Sequence, residues 1–351
     1  MKVFKKIPII VFVMIGLLSS MFIGCGSSKN LSLDSLLENL QNGDISKAKN
    51  LIIKSSNDEN FKLYDLNSIS SDIEKAYYKK ITFKVVKIEE QDKTASAKVK
   101  FEYPDMNDLN QKAFKETFKD KEAISVDNSN KKIVENIVDN LNNDSFNKID
   151  KEIDLEFEKG SDDWLIKFNE ELDSVLCKPL NDLYIVCDGT KYTIEGLKAL
   201  KNLDVDWFKK NSDGFKNESI DEESKKHMKY LVNISKRDKI SFNDYKVEED
   251  SLIINTTIKA PDVCKLYKDN YDDMEEKFMT QATETNAEEV AFKLISDYLN
   301  NKKFDMIENK LDIITEYSIS DNKVKFSFDN GLGIENLFNA IFGNINNMGN
   351  F

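Results

Sequence analysis

The chain has 351 residues, 40% of them apolar, which is about two domains' worth of core-forming material. Charged residues reach 32% and the formal net charge is −13, with Arg237 the single arginine among 50 basic residues. Phosphate binding rests on cationic surface and arginine forks, so this balance argues against nucleic acid as a partner.

Lys2, Lys5 and Lys6 precede an apolar run, residues 7–22, broken by Pro8, Gly16, Ser19 and Ser20. This is the layout of a secretory signal, and it falls short of the roughly 20 apolar residues of a permanent span. Phe22-Ile23-Gly24-Cys25 resembles the lipobox of bacterial lipoproteins, with Phe22 in place of the usual leucine. The resemblance implies a signal peptide over 1–24 that is cut before Cys25. It also implies a diacylglycerol on Cys25, a tether over 25–30, and residence on the outer face of the cytoplasmic membrane. Two acyl chains at about 0.8 kcal/mol per buried methylene suffice to hold a protein there. Losing the three leader lysines takes the charge from −13 to −16.

Leu33, Leu36, Leu37 and Leu40 stand at helical spacing, and Gly43 stops that helix before Ile45, Ala48, Leu51 and Ile52 begin a second. A third helix is predicted near 72–78. Residues 81–88 and 94–103 then read as antiparallel strands, the second with strict alternation and so one solvated face; Pro104, which cannot donate to a ladder, ends it. A charged helix is predicted over 106–119 and a stronger one carrying Ile133, Val134, Ile137, Val138 and Leu141. Ile153, Leu155 and Phe157 alternate, as do Trp164, Ile166 and Phe168, which predicts a hairpin across 160–163. Leu172, Val175 and Leu176 close the unit as a short helix.

The same scheme returns about 158 residues later. Ile81-Thr82-Phe83 matches Ile240-Ser241-Phe242, and the alternating run ending at Pro104-Asp105 matches the one ending at Pro261-Asp262. Leu141-Asn142-Asn143 with Phe146 and Asp154 matches Leu299-Asn300-Asn301 with Phe304 and Asp312, and Ile166-Lys167-Phe168 matches Val324-Lys325-Phe326. Aligned in this way the offsets run from 157 to 159, and the turn after the first strand is two residues shorter in the second copy. Units of that length are domains rather than solenoid repeats. The expected division is therefore 31–180 for the first domain and 190–351 for the second. The join is expected in 178–190, where Pro179, Asn181, Asp182, Asp188 and Gly189 supply turn chemistry.

The fold class read from this pattern is α+β, two tandem domains each with a helical hairpin packed on a curved antiparallel sheet. Helices first, then strands, with the turn-to-strand Asp162-Asp163-Trp164-Leu165-Ile166, resembles the nuclear transport factor 2-like (cystatin-like, ketosteroid-isomerase-like) superfamily. More narrowly, the chain resembles lipoproteins of low-GC Gram-positive bacteria that carry such domains in the cell envelope. Asn322 stands where the tryptophan would recur in the second copy. The resemblance implies a fold and no single function, since the superfamily hosts enzymes and binding adaptors alike.

In enzymes of the ketosteroid-isomerase type an acid and a tyrosine project into a pocket between helices and sheet. Tyr103, Asp105 and Asp262 are the candidates by position, but each aspartate follows a strand-ending proline, where capping of the next helix is the ordinary role. No catalytic residue is assigned. His227, the single histidine, sits in a charged run and reads as a surface residue, so multi-histidine metal sites drop out. Asp204, Asp206 and Asp213-Gly214 are out of register for a calcium loop, and Asp272, Asp273, Glu275 and Glu276 read as a solvated helix face. No glycine-rich phosphate loop follows a strand. No metal or cofactor is expected. Cys177, Cys187 and Cys264 remain after lipidation: a Cys177–Cys187 bridge would close a short loop, and buried thiols are the alternative. The expected function is a membrane-anchored, non-catalytic binding or scaffolding role toward an envelope protein or small ligand. An isomerase- or hydrolase-type enzyme is the alternative, and a transporter's solute-binding protein the third reading, disfavoured because such proteins need parallel βαβ lobes.

Overall fold

The structure is a computed structural model and describes residues 30–53, 71–161, 164–211, 222–320, 323–327 and 331–343. The leader, Cys25, Asp162, Asp163, Asp213, Gly214 and Asn322 lie outside the described residues. Helix α1 (Asn30–Asn42) buries Leu33, Leu36, Leu37 and Leu40. Gly43, at φ +78°, turns the chain in the left-handed region open to glycine, and Asp44 then caps α2 (Ile45–Asn50) by accepting from the Lys47 amide. Helix α3 (Ser71–Tyr78) ends on two wholly buried tyrosines; the Tyr77 hydroxyl donates to Val175 O (2.6 Å) and that of Tyr78 to Leu176 O (3.0 Å). Strands β1 (Thr82–Glu90) and β2 (Thr94–Pro104) follow, then α4 (Met106–Phe118), α5 (Ser129–Asn142), β3 (Lys148–Lys159), β4 (Trp164–Lys167) and α6 (Glu170–Leu176). The sheet is antiparallel in the order β1-β2-β3-β4. Alternation along β2 puts Ala95, Ala97, Val99 and Phe101 inside and a lysine–carboxylate ladder outside, including Lys100–Asp150 and Lys98–Glu152. Residues 51–53 cover the β4 edge: Ile166 N donates to Leu51 O and Ile53 N to Ile166 O.

The stretch expected to be a turn-rich join is helical. Helix α7 (Lys178–Asn202) is 25 residues long and runs without a break through 178–190. Pro179 sits in its first turn, where an amide hydrogen is not needed, and Gly189 lies where the helix meets the second sheet. A Cβ at Gly189 would stand 2.6 Å from Leu252 Cδ2 and 3.0 Å from Phe326 Cε1. Burial of Leu183, Tyr184, Val186, Ile194 and Leu197 overrides the turn propensity of Asn181, Asp182, Asp188 and Gly189. The same helix rules out the Cys177–Cys187 bridge. Ten residues of helix rise about 15 Å, against a Cα separation of about 4.4–6.8 Å for a disulfide, and Cys177 and Cys187 stay as buried thiols.

The first half of α7 closes the first copy and the second half opens the next. Leu203, at φ +50°, and Asp204, whose side chain accepts from Trp207 N (3.1 Å), repeat the Gly43-Asp44 turn and lead into α8 (Val205–Asn211). After α9 (Glu222–Ser235) come β5 (Lys239–Val247), β6 (Ser251–Pro261), α10 (Val263–Asp269), α11 (Tyr271–Gln281), α12 (Ala287–Asn301), β7 (Met306–Ser320), β8 (Lys323–Ser327) and α13 (Gly331–Ile341), with sheet order β5-β6-β7-β8, again antiparallel. The strand pairing corrects the first block of the repeat alignment. β5 begins at 239 and β1 at 82, β6 at 251 and β2 at 94, and the bulges fall at Asn243 and Val86, so this whole region repeats at 157 with no shortened turn. The last hairpin differs in length: Lys159 pairs with Trp164 across four residues, Ser320 with Lys323 across two.

The two copies are packed together, and their buried residues form one contiguous cluster. Helix α4 of the first lies on β5 of the second. Phe114 packs on Phe242 (ring centroids 6.2 Å) and Tyr245 (4.9 Å), Phe118 on Phe242 (5.0 Å), Gln111 Nε2 donates to Tyr245 O (2.9 Å), and Lys115 pairs with Asp244 (3.2 Å).

Candidate functional site in the cleft between the repeats

Where β2 ends, Pro104 stops the ladder and Asp105 starts α4; its side chain accepts from Asp108 N (3.1 Å) while its own amide donates to Asn147 O (2.8 Å). Asp262 repeats this geometry at the start of α10, accepting from Lys265 N (2.9 Å) and donating to Asp305 O (2.8 Å). Both aspartates are helix N-caps, each with an oxygen committed to a backbone amide.

Tyr103 and Asp105 open onto a cleft of about 440 Å³ between the copies, whose other walls include Asn110, Gln111, Lys178, Asp182 and Tyr245. Asp262 does not line it. Position 103 is occupied by alanine, Ala260, in the second copy, so the tyrosine–aspartate pair belongs to the first. Burial pushes the Tyr103 hydroxyl above its ordinary pKa, with the Asp105 charge adding to it; burial does the same to Tyr245, helped by Cys187, Asp244 and Asp182. Neither phenol is poised to ionise near neutrality. Burial raises Asp182 too, opposed by Lys178, whose Nζ stands 3.3 Å away. Asn110 is 3% exposed with its Oδ1 lacking a hydrogen-bond partner, and Gln111 Oε1 is likewise unpaired. Unmet buried acceptors are unusual in a folded chain, and these two are sealed from the cleft, so a hydrogen-bond-donating ligand would satisfy them only by shifting its wall.

Periodicity marked α4 as a helix but could not show Asn110 and Gln111 facing a second domain. Nor could it bring Asp182 or Tyr245, 63 residues apart, to one cleft. The other space considered from sequence, between α1 and the first sheet, is filled. A gap of about 10 Å³ remains there, lined by Leu33, Val85, Ile88, Ala95, Ala97, Val99 and Phe157; that is about one water's worth, and apolar.

The remaining candidates are dispersed. Asp204 caps α8, and Asp273 on α11 pairs with Lys277 (3.0 Å) and accepts from the Tyr298 hydroxyl. His227 falls in α9, its side chain outside the described residues. Among the described residues no group of three or more histidine, cysteine or acidic side chains could hold a metal ion, and no helix is long and apolar enough to cross a membrane. Comparison with protein-family models, with curated proteins and with solved structures finds no match.

Proposed function

We propose that this is a lipid-anchored protein of the cell envelope, held to the outer face of the cytoplasmic membrane through Cys25, whose paired nuclear transport factor 2-like (cystatin-like) units bind a ligand or partner rather than catalyse a reaction. The sequence pattern of residues 2–25 motivates the anchor. The observation that carries the binding role is the inter-repeat cleft, with the buried, unpaired Asn110 Oδ1 in its wall. Two further observations weigh against the isomerase-type alternative. The helix-to-sheet space that such an enzyme uses is packed with side chains in the first copy, and Asp105 and Asp262 each spend an oxygen on a helix cap.

The anchor is tested by the mass of the mature N-terminal peptide and by Cys25→Ser. The expected result is a diacylglyceryl-modified Cys25 as first residue, with the variant released to the medium or retaining its leader. An unmodified N-terminus at another residue would remove the proposal. The binding role is tested by Asn110→Leu, which removes the acceptor while keeping the volume close. Stability should hold or rise while binding of the envelope ligand falls; an unchanged ligand response with lower stability would make Asn110 a structural residue and the cleft incidental.

A further inference from the structure

We infer that the cleft between the repeats takes an extended, uncharged peptide segment of another protein, laid against the free end of β5 and held by the hydroxyls of Tyr103 and Tyr245. This rests on the binding role proposed above and names its ligand class. Tyr103 is 6% exposed and Tyr245 7%, both line the cleft, and among the described residues neither hydroxyl has a hydrogen-bond partner. Unlike Asn110 Oδ1, neither hydroxyl is sealed, and the cleft is what they open onto. Burial raises both pKa values, so the two phenols keep their protons and donate to carbonyl oxygens. One phenol comes from each copy, so a ligand that uses both spans the junction.

The backbone of β5 supplies the peptide-specific part. Glu248 N donates to Ser251 O across the β5-β6 hairpin (2.8 Å), so residues 248, 246 and 244 face β6, while Tyr245 and Val247 turn their amides and carbonyls outward. Tyr245 is already satisfied, its carbonyl by Gln111 (2.9 Å) and its amide by the Asp244 side chain (2.8 Å). Val247, the next outward residue, lines the cleft, and among the described residues its N–H and C=O have no partner. Helix α4 thus covers β5 as far as Gln111 reaches and leaves Val247 open, and an added strand finds main-chain hydrogen bonds at such an edge. Charge disfavours ionic ligands. Lys178 pairs with Asp182 (3.3 Å), Lys246 with Glu248 (2.6 Å), and Asp105 holds its helix cap, so each charged group in the described wall is already engaged. Pro104, Met106, Pro179 and Val186 give apolar wall for side chains between the peptide groups.

The test dialyses the full-length protein against a library of acetylated, amidated hexapeptides built from uncharged residues and reads the retained peptides by mass spectrometry. Backbone hydrogen exchange is followed with and without the retained pool, and a set of small amides and ketones is run in parallel. Uncharged hexapeptides should be retained, and exchange at the Val247 amide should slow several-fold on adding them. Tyr103→Phe and Tyr245→Phe should each cut retention about five-fold, the worth of one hydrogen bond, while melting as the parent does, because neither hydroxyl holds anything within the described chain. Four results would overturn the inference: no peptide retained, retention without a change at Val247, a Val247 amide already protected before peptide is added, or phenylalanine variants that retain peptide as the parent does. Small amides or ketones bound through Tyr103 with no peptide retained would overturn the peptide class and keep the cleft as a binding site. Binding of neither kind would remove both readings.

Discussion

Asp238 lies between α9 and β5, 3% exposed, and both of its carboxylate oxygens lack a hydrogen-bond partner. The charges facing it come from α7 and from the segment after α4. Lys201 Nζ donates to the Asp238 carbonyl (3.2 Å) rather than to its carboxylate, and Glu122 stands 3.5 Å from the same ammonium. Burial pushes the Asp238 pKa from 3.8 up to about 8, Lys201 opposing and Glu122 adding. The native state therefore keeps a proton that the unfolded chain gives up near pH 4, so stability falls as pH rises from about 4 and levels off above about 8. A span of about four units at about 1.4 kcal/mol each makes the full loss about 6 kcal/mol, of which about 4 is already present at pH 7. Asp238→Asn removes this titration at the expense of an amide with unmet partners, about 1–3 kcal/mol. The expected outcome is a variant about equal to or slightly below the parent at pH 4.5 and more stable by about 2–4 kcal/mol at pH 8. Urea unfolding followed at both pH values measures the difference. If the variant is the less stable of the two at pH 8, or its pH slope matches the parent's, then Asp238 is ionised and solvated in the native state and the argument fails.

Asp105→Ala and Asp262→Ala should each cost about 0.5–2 kcal/mol in thermal melting, with Asn at either position recovering most of it, because a capping acceptor is what both positions supply. Phe114→Ala should cost about 3–5 kcal/mol and shift the unfolding of both sheets together, read by probes placed in each copy, since its ring joins α4 to β5. Cys177 and Cys187 should resist alkylation until the protein unfolds and should not be linked in peptide maps, while the half-exposed Cys264 reacts first; burial raises the Cys187 pKa and so withholds the reactive thiolate.

Elements whose signal is local were legible in the sequence. The Leu33–Leu40 face, the strict alternation of β2, and the two Pro-Asp strand ends carry their period or their backbone chemistry in adjacent residues, and the structure places helices, strands and caps there. Long-range relations were not. The residues of 178–190 read as a turn because each was weighed by its own propensity, whereas what makes them helical is a shared burial between two sheets that no window of sequence contains. The cleft failed to show for the same reason: Tyr103, Asn110, Asp182 and Tyr245 come from β2, α4, α7 and β5. The repeat alignment slipped by two in its first block because Phe83 and Phe242 look alike. Pairing with the neighbouring strand shows instead that Phe242 stands where Val85 does, opposite Thr256 and Val99 respectively.

That substitution places on β5 the rings through which the copies are joined. In the first copy the large ring beneath the sheet comes from β3, Phe157 opposite Ala95; at the equivalent place, opposite Leu252, the second copy has Thr315. Thr315 is buried and shares a 2.7 Å hydroxyl contact with Thr193 of α7, while Leu252 opposite it supplies the bulk that Ala95 lacks. On β5, Phe242 and Tyr245 stand where β1 has Val85 and Ile88, so the second copy carries added bulk on its first strand. Those rings stand on the edge strand of the second sheet. Phe114 and Phe118 of α4 cover them, and α7 sets the distance between the halves. The rings on the first strand of the second sheet therefore give part of that core's closure to the first copy, which is why the buried residues form one cluster although the sequence repeats as two.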